Sequence, residues 1–284
     1  MPDSPPPSGA DSRGRDPAVV ARLRAAGCVF AEEEADLLTV AATTPAELAR
    51  LVDLRVAGRP LEQILGWAEF CGLRIEVDPG VFVPRRRSEF LVGQAGLPAA
   101  GHIGRTDGAV AGRSRVPLVI ADLCCGTGAI GVAVARAVRA AELYAADIDP
   151  AAVACARRNV ATVGGHAFQG DLFAAFPSSL RGRIDVLTVN APYVPTDEIR
   201  FMPPEARLHE PRIALDGGPD GVGLHRRVAA QAADWLSPAG RLLIETSDQQ
   251  APLTAAAVSD GGLAATVVTD DDLEATVVIG APAG

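Results

Sequence analysis

The sequence predicts an α/β protein, an open and mainly parallel sheet with helices on both faces, preceded by a small helical unit. Three observations predict it. From residue 118 onward, short apolar runs alternate with stretches of helical rhythm. The alternation opens on a glycine turn, Asp122-Leu-Cys-Cys-Gly-Thr-Gly128, set between a strand and a helix. Hydrophobic residues make up 48% of the 284 residues against 21% charged, enough to bury a full core and to exclude intrinsic disorder.

The elements follow in order. Residues 1–16, rich in Pro, Ser, Gly and charge, predict a disordered tail. Over 17–68 the spacing predicts a helical domain: Val19, Val20 and Leu23, then Ala35, Leu37 and Leu38, then Leu48, Leu51, Val52, Leu54 and Val56 recur at three- and four-residue steps. Thr44 is placed to cap a helix that has Pro45 in its first turn and Glu47 behind it. Residues 69–95 predict a linking hairpin, with Phe70–Val77 as one strand, Asp78-Pro79-Gly80 as the turn and Val81–Val83 as the other. The Gly-, Ala- and Arg-rich stretch 96–115 has no period and predicts a flexible loop. The catalytic candidate, 116–284, has strands at 118–123, 142–147, 184–189, 241–245, 264–268 and 274–279, with a third strand expected just before Asp171. Its helices are at 128–138, 150–160 (Asp149 as N-cap), 224–236 and 250–258.

Composition bounds the chemistry. All 26 basic residues are Arg, which excludes Schiff-base, Walker-lysine and Ser-Lys chemistry. A net charge of −9 argues against nucleic acid as the partner. No apolar run reaches the ~20 residues of a membrane span, and the N-terminus lacks a signal core, so a cytoplasmic protein is expected. Cys28, Cys71, Cys124, Cys125 and Cys155 form no CxxC pair, and His102, His166, His209 and His225 are scattered, so no metal site is expected. Arg85-Arg86-Arg87 is the compact basic run and is expected to be a solvated linker face; Trp67 and Trp235 are expected in a core or interface.

Two segments carry chemistry. In the glycine turn, Gly126 and Gly128 let the backbone pass close to a ligand. Asp147, at the end of the next strand, is placed to take two ribose hydroxyls. GxGxxG is absent and no phosphate-facing group follows, which favours another nucleoside ligand over a dinucleotide. Asp122 and Asp171 add carboxylates on the same sheet edge. They suit a ligand with nucleoside and cationic parts, and S-adenosylmethionine has both. The second segment is Val186-Leu-Thr-Val-Asn190-Ala191-Pro192-Tyr193, a buried strand running into a turn. The side-chain carbonyl of Asn190 and the backbone carbonyl of Ala191 are two acceptors suited to both hydrogens of a planar NH₂ group. Such a grip favours pyramidalisation and aims the nitrogen lone pair at a sulfonium methyl. Pro192 stiffens the turn and Tyr193 is placed to stack on the planar group.

The segments DLCCGTGAIG, AADIDP, QGDLF and VNAPYVP, with GRPLEQILG (58–66), VPRRRSE (83–89), HEP (209–211) and LLIE (242–245), resemble the HemK-type protein glutamine methyltransferases over about residues 17–280. The resemblance implies a class I S-adenosylmethionine-dependent fold, Rossmann-like, with a seven-stranded, mainly parallel sheet and an antiparallel strand at its C-terminal end. It implies S-adenosyl-L-methionine as cofactor, in a pocket lined by Cys124, Cys125, Gly126, Thr127, Gly128, Asp147 and Leu172. Asn190 would contact cofactor and substrate, Asn190–Tyr193 would hold a glutamine amide, and the helical domain would meet a protein substrate such as a peptide chain release factor. Three departures stand out: Ala191 and Arg86-Arg87 occupy positions where the family reads NPPY and IPRPETE, and Cys124 replaces the loop's first glycine. Three alternatives remain at this stage. They are methylation of an exocyclic amine in nucleic acid, a catalytically weak cofactor-binding protein and, more distantly, a nicotinamide-dependent dehydrogenase.

Overall fold

The computed structural model describes residues 16–103, 117–138 and 140–282. The chain divides between Leu65 and Gly66 into two compact units. The expected tail, except Asp16, lies outside the described residues.

The first unit holds α1 (Pro17–Ala25), α2 (Ala31–Ala41), α3 (Pro45–Val56) and the short α4 (Leu61–Leu65). Side chains cap the starts of α1 and α3. Asp16 accepts from the Ala18 N–H, and Thr44 accepts from Glu47, whose own carboxylate reaches back to the Thr43 N–H. Val19, Val20, Leu23, Ala35, Leu38, Leu51 and Val52 form the shared core. Arg55 grips Glu34 through two guanidinium nitrogens at 2.6 and 3.0 Å beside it.

The second unit begins with a tight hairpin, β1 (Trp67–Phe70) and β2 (Leu73–Glu76). Its two turn residues, Cys71 and Gly72, both take positive φ (50° and 69°), as a two-residue hairpin loop requires. The hairpin therefore turns earlier than expected, Phe70–Val77 is not one strand, and Val81–Val83 is not a strand at all. A 3₁₀ turn at Arg86–Ser88 leads instead into α5 (Glu89–Ile103). Buried Leu91, Val92 and Ala95 anchor this helix, which continues through 96–103 where a loop was expected. Residues 104–115 of that expected loop lie outside the described residues.

The remainder is β3 (Leu118–Leu123), α6 (Ala129–Ala137), β4 (Ala141–Asp147), α7 (Pro150–Ala161), β5 (His166–Gln169), β6 (Ile184–Val189), α8 (Pro204–His209), α9 (Gly223–Trp235), β7 (Leu236–Thr246), α10 (Ala251–Asp260), β8 (Leu263–Asp270) and β9 (Ala275–Pro282). Asp149 caps α7 as expected, accepting from the Ala151 N–H. The seven strands lie in the order β5-β4-β3-β6-β7-β9-β8, parallel except for β9, which runs antiparallel to both neighbours. Two clusters of buried apolar side chains fill the core; Trp235 lies in one of them, stacked on Phe173 with ring centroids 5.2 Å apart.

The chain winds outward from β3 to β4 and β5, then returns to place β6 on the other side of β3. Their carboxyl ends lie side by side while their continuations depart in opposite directions, opening a crevice there.

Buried Asn159 ties the hairpin to this edge. Its amide accepts from Glu76 N–H and donates to the carbonyls of Glu76 and Thr127, each at 2.9 Å. Asn159→Leu strands these buried groups and is expected to lower stability by about 2–3 kcal/mol in urea denaturation.

Candidate active site

A cavity opens at the crevice, lined by residues 124–127 after β3, 146–149 after β4, 170–172 after β5, 190–194 after β6, and by Pro84, Arg85, Arg87 and Ser88. Apolar walls come from Phe82, Ile148, Leu172 and Leu224.

The structure brings together most of the residues singled out above. Cys124, Cys125, Gly126, Thr127, Asp147, Asp171, Leu172, Asn190, Ala191, Pro192 and Tyr193 all line the cavity. Asp147 is held on both oxygens by backbone N–H groups, those of Gly126 and Asp149, each at 2.9 Å. Burial nonetheless pushes its carboxyl above the ordinary range. Asp171 pairs with Arg227 at 2.6 Å, both half exposed. Among the described residues four non-glycines have positive φ, and two of them, Cys124 (56°) and Leu172 (50°), line this cavity. Backbone strain gathers where the loops must turn around the site. Burial pushes the Cys124 thiol up, so it stays protonated and is no nucleophile.

Two of the expected residues face elsewhere. Asp122 is not part of the lining. It sits at 1% exposure beneath the loop, accepting from Thr188 Oγ1 at 2.9 Å and from the Gly131 N–H at 3.0 Å, and so clamps α6 and β6 to β3. Gly128 also lies outside the lining. It starts α6 in the left-handed region (φ 78°), and a Cβ there would meet Val160 Cγ1 at 3.0 Å. The basic run is a solvated face only in part, with Arg86 and Arg87 exposed. Arg85 and Arg87 line the cavity and pair with Glu210 (2.6 Å) and Glu245 (3.3 Å), whose side chains are 0% and 2% exposed.

The turn Asn190–Tyr193 is held from several sides. Asn190 Nδ2 donates to buried Ser88 Oγ at 3.3 Å, and among the described residues Oδ1 has no donor. The Tyr193 carbonyl accepts from Gln250 Nε2 at 2.6 Å. Val194 bonds to the following loop through Val194 N–H to Leu215 O and Gly217 N–H to Val194 O. Gly221, with φ 75°, permits this packing, because a Cβ there would fall 2.3 Å from Tyr193 O and 1.9 Å from Gln250 Nε2. Behind the turn, Ser88, Arg87 and Tyr193 face the Glu245 carboxylate and favour its ionisation, yet burial dominates and raises its pKa. Burial likewise pushes the Tyr193 hydroxyl to about 12, so it stays neutral.

Sequence reasoning assigned no role to Ser88, Arg87, Glu245, Gly221 or Gln250. Ser88 and Glu245 lie in segments quoted for the resemblance, and the GGPDGVG stretch from Gly217 to Gly223 signals a backbone-to-backbone approach.

Burial raises Asp122 from 3.8 to about 7. Between these pH values the folded protein holds a proton that the unfolded chain has released, so this group makes stability fall as pH rises from about 4 to about 7. Asp122→Asn keeps both contacts, with Thr188 turning its hydrogen to the Ala121 carbonyl 3.3 Å away. Denaturation of both proteins across that window is expected to show the variant gaining on the wild type as pH rises, by a few kcal/mol at most. Gly221→Ala is expected to lower activity sharply through the displaced Tyr193 carbonyl, which turnover and a melting curve measured together will separate from unfolding.

The methyltransferase small domain family matches residues 114–207. The chain is 36% identical over 228 residues to the 4-amino-L-phenylalanine/4-methylamino-L-phenylalanine methyltransferase of Streptomyces pristinaespiralis, covering 80% of this chain and 74% of that one. It is 36% identical over 212 residues to the release factor glutamine methyltransferase of Geobacter sulfurreducens, covering 73% and 68%. A methyltransferase structure from Pyrococcus furiosus shares the fold, with a TM-score of 0.51 and 16% identity over 74% of this chain and 88% of that one. With strand order, cavity and these identities together, the chain belongs to the release factor glutamine methyltransferase family, on a class I methyltransferase fold.

Proposed function

We propose that the protein transfers a methyl group from S-adenosylmethionine to the side-chain amide nitrogen of a glutamine in a protein, a peptide chain release factor being the leading candidate. The observation that carries this reading is the turn itself: Asn190, whose Nδ2 is engaged by Ser88, and Ala191 line the same cavity as the loop that follows β3.

The residues present fit the cofactor. Asp147 is fixed by two backbone N–H groups and keeps lone pairs for a ribose diol, since each carboxylate oxygen accepts more than one bond. Phe82, Ile148, Leu172 and Leu224 offer apolar walls for a base, and Asp149 and Asp171 add negative charge suited to a cationic ligand. Asp122 and Gly128 support this pocket from beneath. When bound, S-adenosylmethionine supplies an electrophilic sulfonium methyl.

An amide nitrogen is a poor nucleophile because its lone pair is delocalised into the carbonyl. Asn190 Oδ1 and Ala191 O would accept its two hydrogens, fix the plane of the group and favour pyramidalisation as the new bond forms. Tyr193, neutral at working pH, would cover the planar face. The contribution of the chain is positioning, which is worth several kcal/mol when reacting groups are aligned.

The relative that methylates 4-amino-L-phenylalanine favours a second reading, an aromatic amine on a small amino acid. An aniline nitrogen is also planar with a delocalised lone pair, so the same pair of acceptors would serve it. Purified protein incubated with labelled cofactor and release factor, with mass spectrometry of the glutamine-bearing peptides, tests the first reading; labelling of 4-aminophenylalanine alone would replace it with the second. Asn190→Ala removes one of the two directed acceptors and is expected to lower kcat by about a hundredfold or more. Unchanged turnover in that variant would refute the role given to Asn190.

A further inference from the structure

Two of the departures from the family pattern meet in space. Ala191 leaves φ free where a second proline would lock it, so the acceptor turn depends on contacts from outside itself. Arg87, in the segment that reads PRRRSE, supplies one of them. Its guanidinium carbon lies 5.7 Å from the centroid of the Tyr193 ring, and its Nε donates to Glu245 Oε1 at 3.3 Å. Glu245 is 2% exposed and rooted in the core at the end of β7, so it is a fixed anchor for the guanidinium. The neighbouring guanidinium of Arg85 is engaged with Glu210 and Phe82. A carboxylate at position 87 would face Glu245 with like charge and the negative face of the ring, and would hold neither.

We propose that Arg87 is a positioning residue that pins Tyr193 against the Glu245 anchor and restores to the Asn190–Tyr193 turn the rigidity that Ala191 gives up. The proposal rests on that turn gripping the methyl acceptor, and its test has a readout that needs no acceptor.

That readout is hydrogen exchange of the peptide spanning 190–194, followed by mass spectrometry, in wild type, Arg87→Ala, Arg87→Lys, Ala191→Pro and the double variant Arg87→Ala/Ala191→Pro. Arg87→Ala is expected to speed exchange in that peptide and to lower kcat about five- to tenfold, the scale of a cation–π contact in a partly desolvated site. The affinity for S-adenosylhomocysteine, followed by calorimetry, is expected to hold. Arg87→Lys keeps the charge and is expected to recover part of both losses, and in the Ala191→Pro background Arg87→Ala is expected to cost less, in exchange and in kcat, than it does in the wild-type background. Unchanged exchange in Arg87→Ala overturns the proposal. So does a rise in KM alone, which would make Arg87 a direct contact of the acceptor, and so do additive effects of the two substitutions. If the proline does not fold, the order Arg, Lys, Ala in exchange rate decides: a graded rise supports the clamp, and a Lys variant no better than Ala overturns it. Faster exchange in Arg87→Ala, in a protein that methylates no glutamine, would support the clamp and defeat the proposed substrate.

Discussion

The structure depends on one topological constraint, the crossover that places β6 beside β3 after the chain has wound outward through β4 and β5. Parallel strands need crossovers, and at the point where the winding reverses, two adjacent strand ends send their chains apart. The gap between them needs no side chain to create it. Everything chemical in this protein sits at its rim: the glycine loop after β3, Asp147 after β4, Asp171 after β5 and Asn190–Tyr193 after β6. The antiparallel β9 lies outside this arrangement. Its role is to extend the sheet and bury Ala275–Ile279.

Building a site at that rim places several carboxylates in poorly solvated positions. Burial raises Asp122, Asp147, Glu210 and Glu245, each against local donors that favour ionisation. Backbone N–H groups do this for Asp147, Thr188 and the Gly131 N–H for Asp122, and guanidinium groups for the two glutamates. A chain without lysine meets the last task with arginine, whose planar head combines a carboxylate contact with an aromatic one. Arg85 does so with Glu210 and Phe82, and Arg87 with Glu245 and Tyr193.

The fold was readable wherever periodicity and punctuation agreed. Ile184–Val189 and Leu118–Leu123 are mainly apolar runs between breakers, and Asp149-Pro150 marks a helix start that no other context contradicts. The hairpin was misplaced because Asp78-Pro79-Gly80 is the stronger turn signal by residue type, whereas Cys71, a poor candidate for positive φ, makes the turn that is used. Asp122 was assigned to the ligand because a strand's last residue is uncertain by a position or two. One residue inside the ladder, in register with Thr188, its carboxylate serves the sheet; two residues further on, the chain already lines the cavity. Ser88, Glu245 and Gln250 are 57 to 158 residues from Asn190, Arg87 and Tyr193, the groups they hold, a proximity that only the tertiary fold supplies.

Read as an acceptor grip, the turn Asn190–Tyr193 would suit acceptors as different as a protein amide and an aromatic amine. On the proposed reading, Asn190 Oδ1 and the Ala191 carbonyl would read the two hydrogens of a planar nitrogen and nothing of the skeleton beyond it. Selectivity would then come from the other groups that line the cavity, among them Tyr193, Arg85, Arg87, Met202 and Ile213. Two of the departures from the family pattern, at Ala191 and at Arg86-Arg87, fall on the grip and its lip and a third, Cys124, on the loop after β3, while Asn190 and Tyr193 are retained. Change at the periphery with the reading atoms kept is the pattern expected when the chemistry stays the same and the molecule presented to it differs.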